Sequence, residues 1–159
     1  MKEENHAFLE FPSRSANEGF ARAAAACFAA QLDPTLEEAN DVKTAVSEAV
    51  TNCIVHAYGE QGGVIRIECA MDGDTMEIRI VDYGVGIADV EKAMRPFYTS
   101  QPGEERSGMG FTVMQSFMDG LTVKSQLGRG TTVSMVKKVA SAAAPAADEA
   151  ADERENAAG

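Results

Sequence analysis

At 159 residues, with 45% hydrophobic side chains and no Trp, the chain has the length and apolar content of one globular domain. Its formal net charge of −11 argues against direct binding to nucleic acid or an anionic membrane, and suits a basic protein partner. No stretch is long and apolar enough to span a bilayer; even Ala21 to Ala30, mostly Ala, contains Arg22. The opening run from Met1 to His6 has no apolar signal core, so the expectation is a soluble cytoplasmic protein. Cys27, Cys53 and Cys69 show no metal-type spacing and read as reduced core thiols, with Cys27 and Cys53 on apolar helix faces.

In chain order, residues 7 to 11 predict a short strand stopped by Pro12. A helix follows from about Asn17 to Leu32, its buried stripe read as Phe20, Ala24, Cys27, Phe28 and Gln31/Leu32, with Arg22 off that stripe. Asp33-Pro34-Thr35-Leu36-Glu37-Glu38 is a helix start in which Thr35 and Glu38 form a capping box. Val42, Val46, Ala49, Val50, Cys53, Ile54 and Ala57 carry this second helix to about Tyr58, and Gly59 with Gly62-Gly63 ends it. Ile65, Ile67 and Cys69, then Met76, Ile78 and Ile80, alternate with charged residues around Asp72-Gly73-Asp74, which predicts an antiparallel hairpin with one buried face. A short helix is expected from about Asp89 to Met94. Residues 96 to 107, rich in Pro, Gly, Ser and Glu, read as a mobile loop. Gly108-Met109-Gly110-Phe111 opens another helix, with Phe111, Met114, Phe117 and Met118 inward. Strands at 121–126 and 131–136 are joined by Leu127-Gly128-Arg129-Gly130. The last twenty residues are Ala and acid with Pro145, so the domain is read as 1–139 and the tail 140–159 as disordered.

Three short motifs carry chemistry. Glu48 and Asn52 lie one turn apart on the polar face of the second helix, their side chains about 6 Å apart along the axis. A carboxylate there suits proton acceptance and an amide oxygen suits Mg²⁺, although taken alone the pair also reads as a solvated helix face. Asp82-Tyr83-Gly84-Val85-Gly86 leaves the second hairpin strand; its carboxylate is a candidate acceptor for an exocyclic amine such as that of adenine, and its glycines let a flat ring approach. The bland alternative is an Asp/Gly turn. Gly108-Met109-Gly110 at a helix start, preceded by Arg106 and Ser107, is a candidate phosphate cradle, neither a Walker loop nor a dinucleotide fingerprint. Thr131, after Gly130, is placed on a central strand near the same site.

Glu-x-x-x-Asn on a helix, Asp-x-Gly-x-Gly after a hairpin strand, a mobile loop, then Gly-x-Gly opening a helix resembles, in that order, the GHKL ATPase superfamily. The run Val46 to Asn52, followed by Ile54-Val55-His56-Ala57-Tyr58, is similar to its serine-kinase branch. Phe20-Ala21-Arg22, Ala30 to Thr35, Glu104 to Met114 and Phe117-Met118-Asp119 resemble the sporulation anti-sigma factors of that branch. The resemblance covers roughly residues 5 to 137.

That resemblance implies an α/β two-layer sandwich of the GHKL (Bergerat) type, with a mixed, mainly antiparallel sheet and helices on one face. It implies ATP/ADP and Mg²⁺ as ligands and a homodimer. It also implies a sporulation sigma factor as the inhibited partner, and an anti-anti-sigma protein phosphorylated on serine. By position, Asn52 would hold Mg²⁺, Glu48 would accept or orient the serine proton, and Asp82 would read adenine with Thr131 nearby. Gly84 and Gly86 would lie against the ring and Thr99 to Ser107 would form a lid. Arg106, Ser107, Gly108 and Gly110 would meet the phosphates. Arg22 would contact the protein partners. Two rivals remain: the ATP-binding domain of a histidine kinase, although no helix pair with a phosphoacceptor histidine is visible, and a nucleotide-responsive sigma-binding module without kinase activity.

Overall fold

The computed structural model describes residues 4–96 and 110–140. Five strands form one sheet: β1 (Asn5–Pro12), β2 (Val64–Asp72), β3 (Thr75–Asp82), β4 (Gly120–Gln126) and β5 (Gly130–Lys138), in the order β1-β2-β3-β5-β4. Four helices accompany them: α1 (Ala16–Ala29), α2 (Leu36–Asn52), a one-turn α3 (Val90–Ala93) and α4 (Gly110–Phe117). All four strand pairings are antiparallel, so among the described residues the sheet is purely antiparallel rather than mixed. Each of the consecutive pairs β2–β3 and β4–β5 is closed by a tight turn, which only an antiparallel pair permits.

The alternation read in the hairpin is realised. Ile65, Ile67 and Cys69 on β2 and Met76, Ile78 and Ile80 on β3 are buried, and Val133 and Met135 extend the same face onto β5. The helices close over it, with Val42, Ala45, Val46, Ala49 and Val50 of α2 fully buried. On the other face Arg66 bonds Glu10 across the β1–β2 pair and Arg79 reaches Glu68 across β2–β3 at 4.0 Å, while Arg66–Glu68 and Arg79–Glu77 pair along single strands.

The buried stripe of α1 differs from expectation. Ala21, Ala25, Phe28 and Ala29 point inward, while Phe20 is 57% exposed and Cys27 is exposed. Small alanines let α1 pack closely on α2, and three of the four buried residues of the helix are alanines. Phe20 instead packs edge-on against Phe11, ring centroids 6.3 Å apart. Phe117, expected inward, is 37% exposed at the end of α4, whereas Met114 and Met118 are buried.

The capping box is formed as read: Glu38 N–H donates to Thr35 Oγ1 at 3.1 Å, and Thr35 N–H to Glu38 Oε1 at 2.9 Å. The second helix continues to Tyr58, but Cys53–Tyr58 is a π turn, wider than the α-helix before it. Of the expected tail only Ala140 is described. No described helix is long and apolar enough to cross a membrane.

Candidate active site

The end of α2 is where the motifs meet. Gly110, the first residue of α4, lies directly over the polar face of α2. A β-carbon built there would stand 3.2 Å from Asn52 Nδ2 and 3.4 Å from Glu48 Oε2. The helical spacing that puts Glu48 and Asn52 on one face thus places both under the mouth of a second helix.

Cys53, the next residue, turns the other way and meets the strand end. Its thiol donates to Asp82 Oδ2 at 3.6 Å. Asp82 is buried, and its Oδ1 accepts from the N–H of Gly84 at 3.0 Å and of Thr131 at 3.3 Å. Burial pushes the Asp82 carboxyl above the usual range, against the lowering effect of those donors. Burial also raises the Cys53 thiol well above its ordinary value, with the Asp82 charge adding to the effect, so Cys53 remains a protonated donor. Thr131 stands opposite Asp82 in the β3–β5 register, on an interior strand as expected.

The helix end supplies part of this arrangement. The Ala57 carbonyl, in the last turn and so without an intrahelical partner, accepts from Val85 N–H of the strand-end loop at 3.0 Å. A β-carbon on Gly84 would stand 2.3 Å from that carbonyl, and one on Gly86 would stand 2.2 Å from the Gln126 carbonyl. Both glycines are therefore required by backbone packing on their own side of the loop.

Two residues that sequence reasoning did not single out hold the loop. Tyr58 hydroxyl accepts from Tyr83 N–H at 2.7 Å and donates to the Val64 carbonyl. Ser125 accepts from Ile87 N–H at 2.7 Å and donates to the Gly130 carbonyl at 3.0 Å. With its single proton so used, Ser125 receives the Thr131 hydroxyl at 2.8 Å. Tyr58 closes the run that resembles the serine-kinase branch, but its bond to Tyr83 spans 25 residues and that of Ser125 to Ile87 spans 38, so both are visible only in the fold.

Arg22 on α1 is half exposed and donates to Glu18 at 3.3 Å and to Ser47 Oγ at 3.5 Å. It therefore lies beside the residue preceding Glu48. Thr99, Arg106, Ser107 and Gly108 lie outside the described residues, as does the whole of the expected lid from Thr99 to Ser107.

Among the described residues no group of three or more His, Cys, Asp or Glu could hold a metal ion. The donor set at the end of α2 is one amide oxygen and one carboxylate. This fits a hard cation that draws its remaining ligands from phosphate and water, as Mg²⁺ does.

A two-layer sandwich with a polar helix face, a strand-end carboxylate and a glycine-led helix converging at one corner defines a nucleotide-binding ATPase-like domain. Comparison agrees: residues 11–137 match the histidine kinase-like ATPase domain. The fold is similar to the RsbU and RsbW domains of a Mycobacterium tuberculosis protein (TM-score 0.60, 15% identity, 85% of this chain and 32% of that one). It is also similar to the catalytic domain of the histidine kinase ThkA (TM-score 0.54, 14% identity, 84% and 96%). Among curated proteins, the chain is 57% identical to the anti-sigma F factor of Clostridium beijerinckii over 85% of this chain and 95% of that protein. It is 55% identical to that of Thermoanaerobacter pseudethanolicus over 89% and 99%. The chain belongs to the anti-sigma F factor family.

Proposed function

We propose that this protein binds and inhibits a sporulation sigma factor in the cytoplasm and uses Mg-ATP to phosphorylate a serine of an anti-anti-sigma partner. The observation that carries this reading is the corner itself: Glu48 and Asn52 lie beneath Gly110, and Cys53 links the same helix end to Asp82. The names of the relatives support the sigma partner.

In this reading Asp82 accepts the adenine amino group, with Thr131 beside it and Gly84 and Gly86 bordering the ring. Gly108 and Gly110 N–H groups, with Arg106 and Ser107, meet the phosphates, and residues from Thr99 to Ser107 cover them. Asn52 holds Mg²⁺, which would neutralise phosphate charge when bound. Glu48 takes the proton of the partner's serine hydroxyl as that oxygen bonds to the γ-phosphorus and the bond to the ADP oxygen breaks. Arg22, beside Ser47 and half exposed, offers a docking cation close to Glu48. The chain acts as a homodimer.

The test is to incubate the protein with radiolabelled ATP and purified anti-anti-sigma protein. Label on a partner serine supports the kinase. Nucleotide-dependent capture of sigma factor without label favours a binding module that lacks transferase activity, and label on a histidine favours a histidine kinase.

A further inference from the structure

The inward row of β5 is Thr131, Val133, Met135 and Lys137, all buried, and Val139 just past its end is buried as well. A lysine in such a row is costly unless its charge is met, and a buried ion pair is weak support for stability by itself. Lys137 Nζ is met twice: it pairs with Asp41 of α2 at 3.2 Å and donates to the Phe117 carbonyl at 2.6 Å. Phe117 is the last residue of α4, where a cation suits the unsatisfied carbonyls and the helix dipole.

Asp41 lies seven residues before Glu48 and eleven before Asn52, spacings that return to one helix face. On α2 that span is about 16 Å, and α4 from Gly110 to Phe117 covers about 10 Å. The two helices therefore run antiparallel, touching at both ends: Asp41–Lys137–Phe117 at one, Glu48/Asn52 with Gly110 at the other. The chain after α4 is held to β5 as well, through Asp119 N–H to the Val136 carbonyl at 2.8 Å and Lys138 N–H to Asp119 Oδ2 at 2.7 Å.

We infer that Lys137, with Asp41, is a positioning residue that sets the axial placement of α4 against α2 and so fixes the Gly110 amide over Asn52 and Glu48. The inference rests on the ATP-binding reading of that corner. It predicts that the pair governs the phosphate end of a nucleotide and leaves the adenine end, anchored at Asp82, unaffected.

The experiment compares ATP and AMP affinities of full-length wild type, Lys137→Met, Lys137→Arg and Asp41→Asn, with far-UV circular dichroism to establish folding. Failure of the wild type to bind ATP overturns the underlying reading rather than the role of Lys137 alone. With a binding wild type, Lys137→Met is expected to lose ATP affinity by roughly tenfold or more with AMP affinity nearly unchanged, because small misplacements of binding groups are expensive. Lys137→Arg, which keeps the charge, recovers most of the loss. Should Lys137→Met fail to fold, Asp41→Asn reads the same split, since it keeps the Lys137–Phe117 bond. Unchanged ATP affinity, or an equal loss for ATP and AMP, in the folded variant overturns the inference.

Discussion

Gly110 and Asn52 meet across two helices: a β-carbon on the glycine would come within 3.2 Å of the amide nitrogen of Asn52. Nothing in local sequence joins these residues, which stand 58 positions apart in a chain of 159. The contact makes the start of α4 sensitive to a single methyl group. Gly110→Ala forces Asn52 and Glu48 to yield by a few tenths of an ångström. The expected outcome is ATP binding weaker by about tenfold, or ~1.4 kcal/mol. The melting temperature should hold or rise, because Ala is the better helix former. Titration with a fluorescent ATP analogue and a thermal melt read the two effects separately.

Glu48→Gln keeps the size and the helix but removes the proton acceptor. Phosphorylation of the partner's serine should slow by roughly 10²–10⁴-fold, the usual weight of a general base. ATP affinity should stay within about twofold, because the change touches the proton rather than nucleotide contacts. Single-turnover transfer from labelled ATP measures it, and a normal rate would remove Glu48 from the role of base.

Asp82→Asn separates ligand reading from stability. Losing a charged acceptor should weaken ATP by roughly ten- to a hundredfold, the worth of a hydrogen bond to a charged group. GTP binding should change less. Burial raises the Asp82 carboxyl above its ordinary value near 3.8, so over that interval the folded protein holds a proton that the unfolded chain has lost. The stability tied to this group is complete below the unfolded value and is lost as pH rises through the folded value. Asn does not titrate. Urea unfolding at pH 7 should therefore show the variant at least as stable as wild type, and acidification should move the comparison in favour of wild type. A variant less stable at pH 7 than at pH 4, relative to wild type, would contradict this account.

Thiol labelling should count one reactive cysteine in the native protein and three after denaturation. Cys27 is exposed, whereas Cys53 and Cys69 are buried. Burial pushes the Cys69 thiol up to about 11 and raises Cys53 well above its usual value, so neither offers thiolate at neutral pH. Mass spectrometry after brief alkylation should place the native label on Cys27.

Much of the fold was legible because it depends on near neighbours. Thr35 and Glu38 are three residues apart, and their reciprocal capping bonds form wherever that helix starts. Strand alternation in β2 and β3 likewise reports its own buried face. The α1 stripe misled because hydrophobicity favours Phe20 and Cys27, while close helix packing favours Ala21 and Ala25. Lys137 was passed over for a similar reason. Its place in the inward row of β5 is visible as alternation, but its partners Asp41 and Phe117 are 96 and 20 residues away.

By itself the sequence determined which segments are helix and strand, the capping of α2, and the three motifs whose order marks the family. Each of these rests on periodicity or spacing within one element. The tertiary structure alone decided that β5 enters between β3 and β4, and that Thr131 thereby stands opposite Asp82. It also decided that the end of α2 presents Asn52 to α4 and Cys53 to the strand end. The reason is physical: covering one apolar sheet face with helices fixes distances between residues that share no local interaction, and the site is made of those distances.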